Sequence, residues 1–170
     1  METSTLRFYT LNYRESKAYL VALAFITGNI LLPQLCHLFP EGGRVLLPIY
    51  FFTLIGAYKY GWQVGLATSL FSPLVNSVLF GMPPVAVLPA ILSKSVLLAL
   101  FASIAARSFR RISVLILIGV VLSYQVVGTG VEWLITGSLQ IASQDFRIAL
   151  PGMLLQVLGG YGVVKALPSR

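Results

Sequence analysis

The sequence predicts an all-α integral membrane protein, a bundle of six transmembrane helices with both termini in the cytoplasm. Of its 170 residues, 57% are hydrophobic and only 10% are charged, and the mean hydropathy is +0.87. Proline, glycine and charged residues divide this apolar chain into segments of roughly membrane-spanning length. A chain of this composition has too few polar residues to cover a water-facing surface.

Six apolar segments define the expected helices. The first, about 18–35, is closed by Pro33 and followed by a Pro/Gly turn at 40–43, and the others are expected at 45–57, 62–80, 85–106, 112–135 and 148–167. The second is short for a hydrocarbon core of about 30 Å, because a helix rises only about 1.5 Å per residue. The chain is therefore expected to form one membrane domain, 1–170, in which 1–17 is a cytoplasmic segment. The first helix is expected to be retained, since no small-residue cleavage site follows it.

The distribution of cations predicts the orientation. With the N-terminus inside, nine of the 12 Lys and Arg residues fall on the cytoplasmic side and three on the outer half. The nine are Arg7, Arg14, Lys17, Lys59, Arg107, Arg110, Arg111, Lys165 and Arg170, and the three are Arg44, Lys94 and Arg147. By the positive-inside rule both termini are cytoplasmic. The loops after the first, third and fifth helices then face outward.

Polar side chains inside the apolar segments are the main functional signal, because a polar group in hydrocarbon is costly unless it is paired or lines a cavity. Helical rise places most of them at a similar level in the outer half of the membrane. They are Asn76, Lys94, Gln125, Thr129, Glu132 and Gln156. Their shared level indicates a polar cavity that opens outward, into which Arg44 and Arg147 could reach from the loops.

Each of these residues also has a structural interpretation. Lys94 could extend to the outer headgroups, and Glu132 could lie at the interface beside Trp133. Asn76 and Gln156 could form hydrogen bonds between helices. An ion pair between Lys94 and Glu132 could close a purely structural network.

Small residues and one Cys-His pair allow two further interpretations. Ala18 and Ala22 form a small-x-x-x-small pair, and the spacing recurs at Gly61 and Gly65, so these residues serve either packing within the bundle or docking of another membrane subunit. Cys36 and His37 could ligate a metal, but two adjacent residues without partners favour an ordinary interface His and a buried Cys. One cysteine excludes an internal disulfide, and no metal or other cofactor is expected.

No catalytic motif is recognisable. The sequence contains no Walker motif, no G-x-S-x-G, no H-E-x-x-H and only one histidine, so we do not expect an enzyme. The net charge of +7 does not indicate nucleic-acid binding, because the cations flank apolar segments.

The pattern of glycine and proline residues over about residues 18–167 resembles that of the substrate-binding S components of energy-coupling factor (ECF) transporters. The resemblance rests on Leu47, Pro48, 56–61, Gly65, 72–74, 81–84, Pro89 and 151–156. It implies a bundle in a prokaryotic inner membrane that captures a vitamin or related micronutrient in an outward pocket. The pocket would be formed by the loop after helix one, helices four to six and the loop after helix five.

The resemblance also implies partners and roles. The bundle would dock on a transmembrane coupling subunit that sits on two ATPases, with Ala18 and Ala22 matching the docking pattern. Lys94, Gln125, Glu132 and Gln156 fall where ligand contacts are expected. Apart from the resemblance, the residues Arg44, Lys94 and Arg147 favour the hypothesis of a ligand with a carboxylate or another anionic group. Aromatic contacts would come from Tyr50, Tyr124 and Trp133.

A second hypothesis belongs to a different functional class. A structural membrane scaffold of the rod-shape-determining D type has a similar size and helix count. It needs no ligand cavity, so its polar residues should pair among themselves.

Overall fold

The computed structural model describes residues 15–167, and every regular element in that range is a helix. The long helices are α1 (Ser16–Cys36), α4 (Trp62–Phe80), α5 (Leu88–Phe109), α6 (Val114–Thr136) and α9 (Leu150–Ala166). The shorter elements are α2 (Gly42–Leu46), a 3₁₀ turn (Pro48–Tyr50), α3 (Phe51–Tyr60), α7 (Leu139–Ala142) and α8 (Gln144–Ile148). The all-helical prediction is confirmed for the described residues.

Four of these helices, α1, α4, α5 and α6, are long and apolar enough to cross a bilayer, by length and composition. Their outer faces carry large exposed apolar side chains such as Leu20, Val78 and Leu115. Burial of such faces in lipid removes them from water, as in other helical membrane proteins. The chain is therefore best described as a multi-pass membrane protein.

The segment 45–57 does not form one continuous helix. Leu47 adopts a left-handed conformation (φ 48°, ψ 45°) between α2 and the 3₁₀ turn. A residue before proline is sterically disfavoured in the right-handed helical region, so Leu47-Pro48 breaks the helix here. Helix α3 starts only at Phe51 and extends to Tyr60.

Helix α3 is short but lies in the centre of the bundle. It packs against α1, α4, α5 and α9, and eight of its ten residues are buried. Gly65 lies so close to Ala57 that a Cβ atom at Gly65 would overlap the Ala57 side chain. Because neighbouring helices surround α3, its ends need not reach both surfaces of a lipid bilayer by themselves.

Short connections reverse the direction of the chain between α3 and α4 and between α5 and α6. Gly61 alone separates α3 from α4, and 110–113 join α5 to α6. Tyr58 donates to the carbonyl of Arg111 (2.7 Å) and Lys59 donates to the carbonyl of Leu167 (3.3 Å). The ends of α3 and α9 and the α5–α6 connection therefore meet at one end of the bundle, and the ends of α1, α4 and α6 lie at the other.

Candidate functional site

A cavity of about 460 Å³ lies at the end of the bundle where α1, α4 and α6 finish and α5 begins. Its volume lies within the usual range of small-molecule pockets, about 300–1,000 Å³. The wall combines the end of α1, the connection that contains α2, the α4–α5 connection, the first half of α5, the end of α6 and the α7–α8 segment. Representative residues of these parts are Pro33, Tyr50, Pro84, Ile91, Glu132 and Ile148.

Lys94 and Glu132 form an ion pair in the cavity wall. The Nζ atom of Lys94 lies 2.5 Å from Oε2 of Glu132, and the side chains are 2% and 15% exposed. Lys94 is on α5 and Glu132 is on α6, so the pair joins two helices. The aliphatic part of Lys94 packs on Gly128, where an added Cβ would lie 2.6 Å from Lys94 Cγ. This contact and the ion pair keep the Lys94 side chain in the interior of the bundle.

A second ion pair lies in the part of the wall formed by α2. Arg44 Nη1 is 3.4 Å from Glu41 Oε2, and both side chains are about two-thirds exposed (68% and 64%). Exposed pairs of this kind contribute little to stability, about 0–1 kcal/mol. Each Lys or Arg in the cavity lining therefore already has a carboxylate partner.

Polar side chains continue from the cavity into the core along one face of α6. Gln125, Thr129 and Glu132 are separated by four and three residues, so they lie on the same side of the helix. Gln125 is fully buried, and neither its amide nitrogen nor its amide oxygen has a hydrogen-bond partner among the described residues. Thr129 Oγ1 also has no partner there. Unsatisfied polar atoms in a core are uncommon, so this face of α6 is unusual for a packing surface.

Tyr124 and Gln156 connect α6 with α9. The Tyr124 hydroxyl donates to Gln156 Oε1 (3.0 Å), and the Tyr124 ring lies 5.6 Å from the ring of Tyr50, which lines the cavity. Gln156 Nε2 has no partner within 15–167. Tyr50 therefore separates the cavity from this buried pair, and neither Tyr124 nor Gln156 is part of the lining.

Asn76 belongs to a different polar cluster, between α1, α3 and α4. Its Nδ2 atom donates to the carbonyl of Asn29 (2.9 Å) and to that of Ser72 (2.9 Å). Pro33 has no N–H group and so leaves the Asn29 carbonyl without its usual helical donor. Asn76 supplies that donor, which matches its alternative interpretation as an interhelical hydrogen bond.

Asn29 holds this cluster together and was not among the residues predicted from the sequence. Its Nδ2 donates to Thr53 Oγ1 (3.1 Å) and Ser72 Oγ (3.3 Å), and its Oδ1 accepts from the Phe52 amide (3.1 Å). The Phe52 amide lies in the first turn of α3, where it has no intrahelical acceptor. The sequence signal was an asparagine four residues before a proline within an apolar helix.

The remaining predicted binding residues do not line the cavity. Trp133 is exposed on α6, beside Glu132, and Arg147 is exposed on α8. Of the eleven residues proposed for ligand contacts, the cavity lining contains four, Arg44, Tyr50, Lys94 and Glu132. Its wall also includes residues not singled out from the sequence as contacts, such as Met82 and Gln144.

Ala18 and Ala22 face the interior of the bundle. They are 5% and 6% exposed and pack with Val64 of α4. Close helix contact explains small side chains at both positions, as in the packing interpretation. In this arrangement a partner could reach them only if α1 moved away from α4.

Cys36 is buried at the end of α1, and His37 lines the cavity next to it. Within 15–167, no group of three or more His, Cys, Asp or Glu residues could hold a metal ion. The pair therefore has no further ligands of these types in the part of the chain that the structure describes.

No protein-family model matches the chain, and searches of curated proteins and of solved structures found no match either.

Proposed function

We propose that this chain is the membrane-embedded substrate-binding subunit of an ECF-type importer for a vitamin or related micronutrient. The observation that carries the proposal is the cavity of about 460 Å³ with the Lys94–Glu132 pair in its wall. A bundle that served only as a scaffold would gain stability by filling this volume with side chains. The sequence resemblance to S components supplies the transport role.

The proposed topology has six membrane helices, with α3 and α9 added to the four long apolar ones. The described cations support an outward cavity, because six lie at the end away from it and three at the cavity end. The six are Lys17, Lys59, Arg107, Arg110, Arg111 and Lys165, and the three are Arg44, Lys94 and Arg147. The positive-inside rule assigns the six to the cytoplasm, with both termini.

The partners in this proposal are a transmembrane coupling subunit and two ATPases in a prokaryotic cell membrane. The bundle captures its ligand from the outer side, and the ATPases supply the energy for release. Since Ala18 and Ala22 are buried against α4, we propose that docking through them requires a small displacement of α1.

Reconstitution tests this proposal. The chain is placed in proteoliposomes with its outward face exposed, alone and together with the coupling subunit and ATPases of its host. Uptake is then measured for the small molecule that copurifies with it. We expect accumulation only with the complete module and ATP. Accumulation by the chain alone, or none with the complete module, would exclude an S component that depends on ATPases.

The second candidate, a scaffold of the rod-shape-determining D type, is favoured by one observation. Lys94 and Glu132 pair with each other, as expected for polar residues that serve only the bundle. Gln125 and Thr129 argue against it, because their side-chain polar atoms have no hydrogen-bond partner within 15–167. Copurification of the chain with cell-wall synthesis enzymes, without any small ligand, would favour the scaffold.

A further inference from the structure

Within residues 15–167, the cavity lining carries no net formal charge, which restricts its ligand. Its Asp, Glu, Lys and Arg side chains are Glu41, Arg44, Lys94 and Glu132, two cations and two anions whose formal charges sum to zero. Both cations are already ion-paired, at 3.4 Å and 2.5 Å. An anionic ligand would therefore meet no uncompensated positive charge in this wall.

The Lys94–Glu132 pair also resists separation. Lys94 is 2% exposed and its aliphatic part is packed on Gly128. If an anion displaced Glu132, it would leave a carboxylate without its cation in a poorly hydrated wall, which is unfavourable. A cationic ligand would meet the corresponding obstacle, because it would have to compete with Lys94 for Glu132.

A polar group without net charge does not have to displace Glu132 from Lys94 or compete with Lys94 for Glu132. A group with a hydrogen-bond donor beside an acceptor can contact Glu132 and Lys94 together and leave their ion pair intact. Amides, ureas and amino-acid zwitterions have this arrangement. Glu132 is the more exposed partner, so the donor of the ligand would make the first contact.

The rest of the wall is mainly aliphatic. It contains Ile49, Val87, Ala90, Ile91, Ile141 and Ile148, together with several prolines. Tyr50 and His37 are the aromatic side chains in the described lining. Such a wall favours an aliphatic body, because contact with it removes apolar surface from water.

We propose that the cavity binds a net-neutral, largely aliphatic molecule whose polar head presents a hydrogen-bond donor to Glu132 and an acceptor to Lys94. This inference deepens the proposed function and rests on it, since it assigns a substrate class to the same cavity. It replaces the expectation of an anionic ligand that the cations suggested in the sequence.

Four probes with the same six-carbon chain test the head group: norleucine (zwitterion), hexanamide (neutral amide), hexanoate (anion) and hexylammonium (cation). Their dissociation constants are measured by calorimetry with the full chain in lipid nanodiscs, after subtraction of binding to empty nanodiscs. We expect norleucine or hexanamide to bind at least about tenfold more tightly than either ion, a difference of about 1.4 kcal/mol. The comparison of those two neutral probes distinguishes a zwitterionic ligand from an amide.

Two variants test the assignment to the ion pair. Glu132→Gln leaves the charge of Lys94 without its partner, so hexanoate should gain affinity over hexylammonium by about tenfold or more. Glu15→Gln is the matched control, because it makes the same change at an exposed carboxylate outside the cavity lining and should leave the ranking of the four probes unchanged.

The wild-type ranking is decisive even if Glu132→Gln does not fold. Tightest binding of hexanoate or hexylammonium to the wild-type chain, or no detectable binding of any of the four, would overturn the inference. An unchanged ranking in folded Glu132→Gln would also overturn it. None of these measurements requires the coupling module, so failure of the ATP-dependent uptake experiment is a separate result.

Discussion

The carboxylate of Glu132 lies 2.5 Å from the ammonium group of Lys94, where the cavity meets the packed contact between α5 and α6. The pair is both a structural link between two helices and part of the proposed ligand contact. Its two roles can be separated, because stability and ligand binding respond differently to the loss of one charge.

Removing one partner of the pair should destabilise the protein more than removing both. Glu132→Leu leaves the Lys94 ammonium buried without its partner and should lower the free energy of unfolding by about 3 kcal/mol. The double variant Lys94→Met with Glu132→Leu should recover part of that loss. Reversible unfolding in detergent provides the measurement. Glu41→Gln, in the exposed pair, should change stability by about 1 kcal/mol or less. Equal effects of Glu132→Leu and Glu41→Gln would contradict this account.

Gly128 should be intolerant of even a small side chain. Gly128→Ala places a methyl group 2.6 Å from the original position of Lys94 Cγ, so the lysine must move. We expect a loss of about 1–3 kcal/mol in stability. Gly130→Ala is the control on the same helix, because an added Cβ there meets nothing within 4 Å. If both variants have the same melting temperature, the tight contact between Lys94 and Gly128 is not present.

Asn76 should matter for stability and not for ligand affinity. Asn76→Ala removes the donor to the Asn29 carbonyl and leaves a buried acceptor unsatisfied, which should cost about 1–3 kcal/mol. Thr27→Val on α1 is the control, because the exposed Thr27 hydroxyl bonds only within its own helix and its loss should have little effect. Thermal unfolding and probe binding are measured on the same samples. If a folded Asn76→Ala variant had normal stability but no longer bound the probes, Asn76 would belong to the ligand site.

Variants at Ala22 and Ala24 test whether the small residues of α1 serve packing within the bundle or docking of a partner. Ala22→Leu introduces a large side chain into the buried contact with α4 and should reduce stability by about 1–3 kcal/mol. Ala24 is exposed on the same helix, so Ala24→Leu should be tolerated. The melting temperatures of the two variants give the comparison. If Ala22→Leu kept full stability and ligand binding but abolished transport, Ala22 would be a docking residue despite its burial.

The sequence predicted the helical class but not the direction of individual side chains. Helical rise gives depth, so it placed Lys94 and Glu132 near the same height, but it could not tell whether they point to each other, to lipid or to a ligand. Asn76 shows the same limit, since its depth suited a pocket while its partner is a carbonyl that Pro33 leaves free. Such partners depend on the packing of α1 against α4.

The helix break at Leu47 could in principle be predicted from the sequence, because the residue before a proline disfavours the helical conformation. The run of apolar residues at 45–57 indicated one continuous helix. The segment instead forms α2, a 3₁₀ turn and the first part of α3. The cavity wall depends on this break, because Leu47, Pro48 and Tyr50 all line it. The spacing of the small residues on α1 does not show whether they face another helix of the bundle or a partner subunit.

Native mass spectrometry of the protein in mild detergent, purified from cells grown in rich medium, tests most directly whether this cavity is a ligand site. Two variants of α5 are compared with the wild type: Ile91→Trp fills the cavity, and Ile104→Trp places the same ring on the exposed face. The account predicts a bound small molecule on the wild type and on Ile104→Trp, and none on folded Ile91→Trp. Ligand-free spectra for the wild type, or the same bound mass on all three proteins, would contradict it.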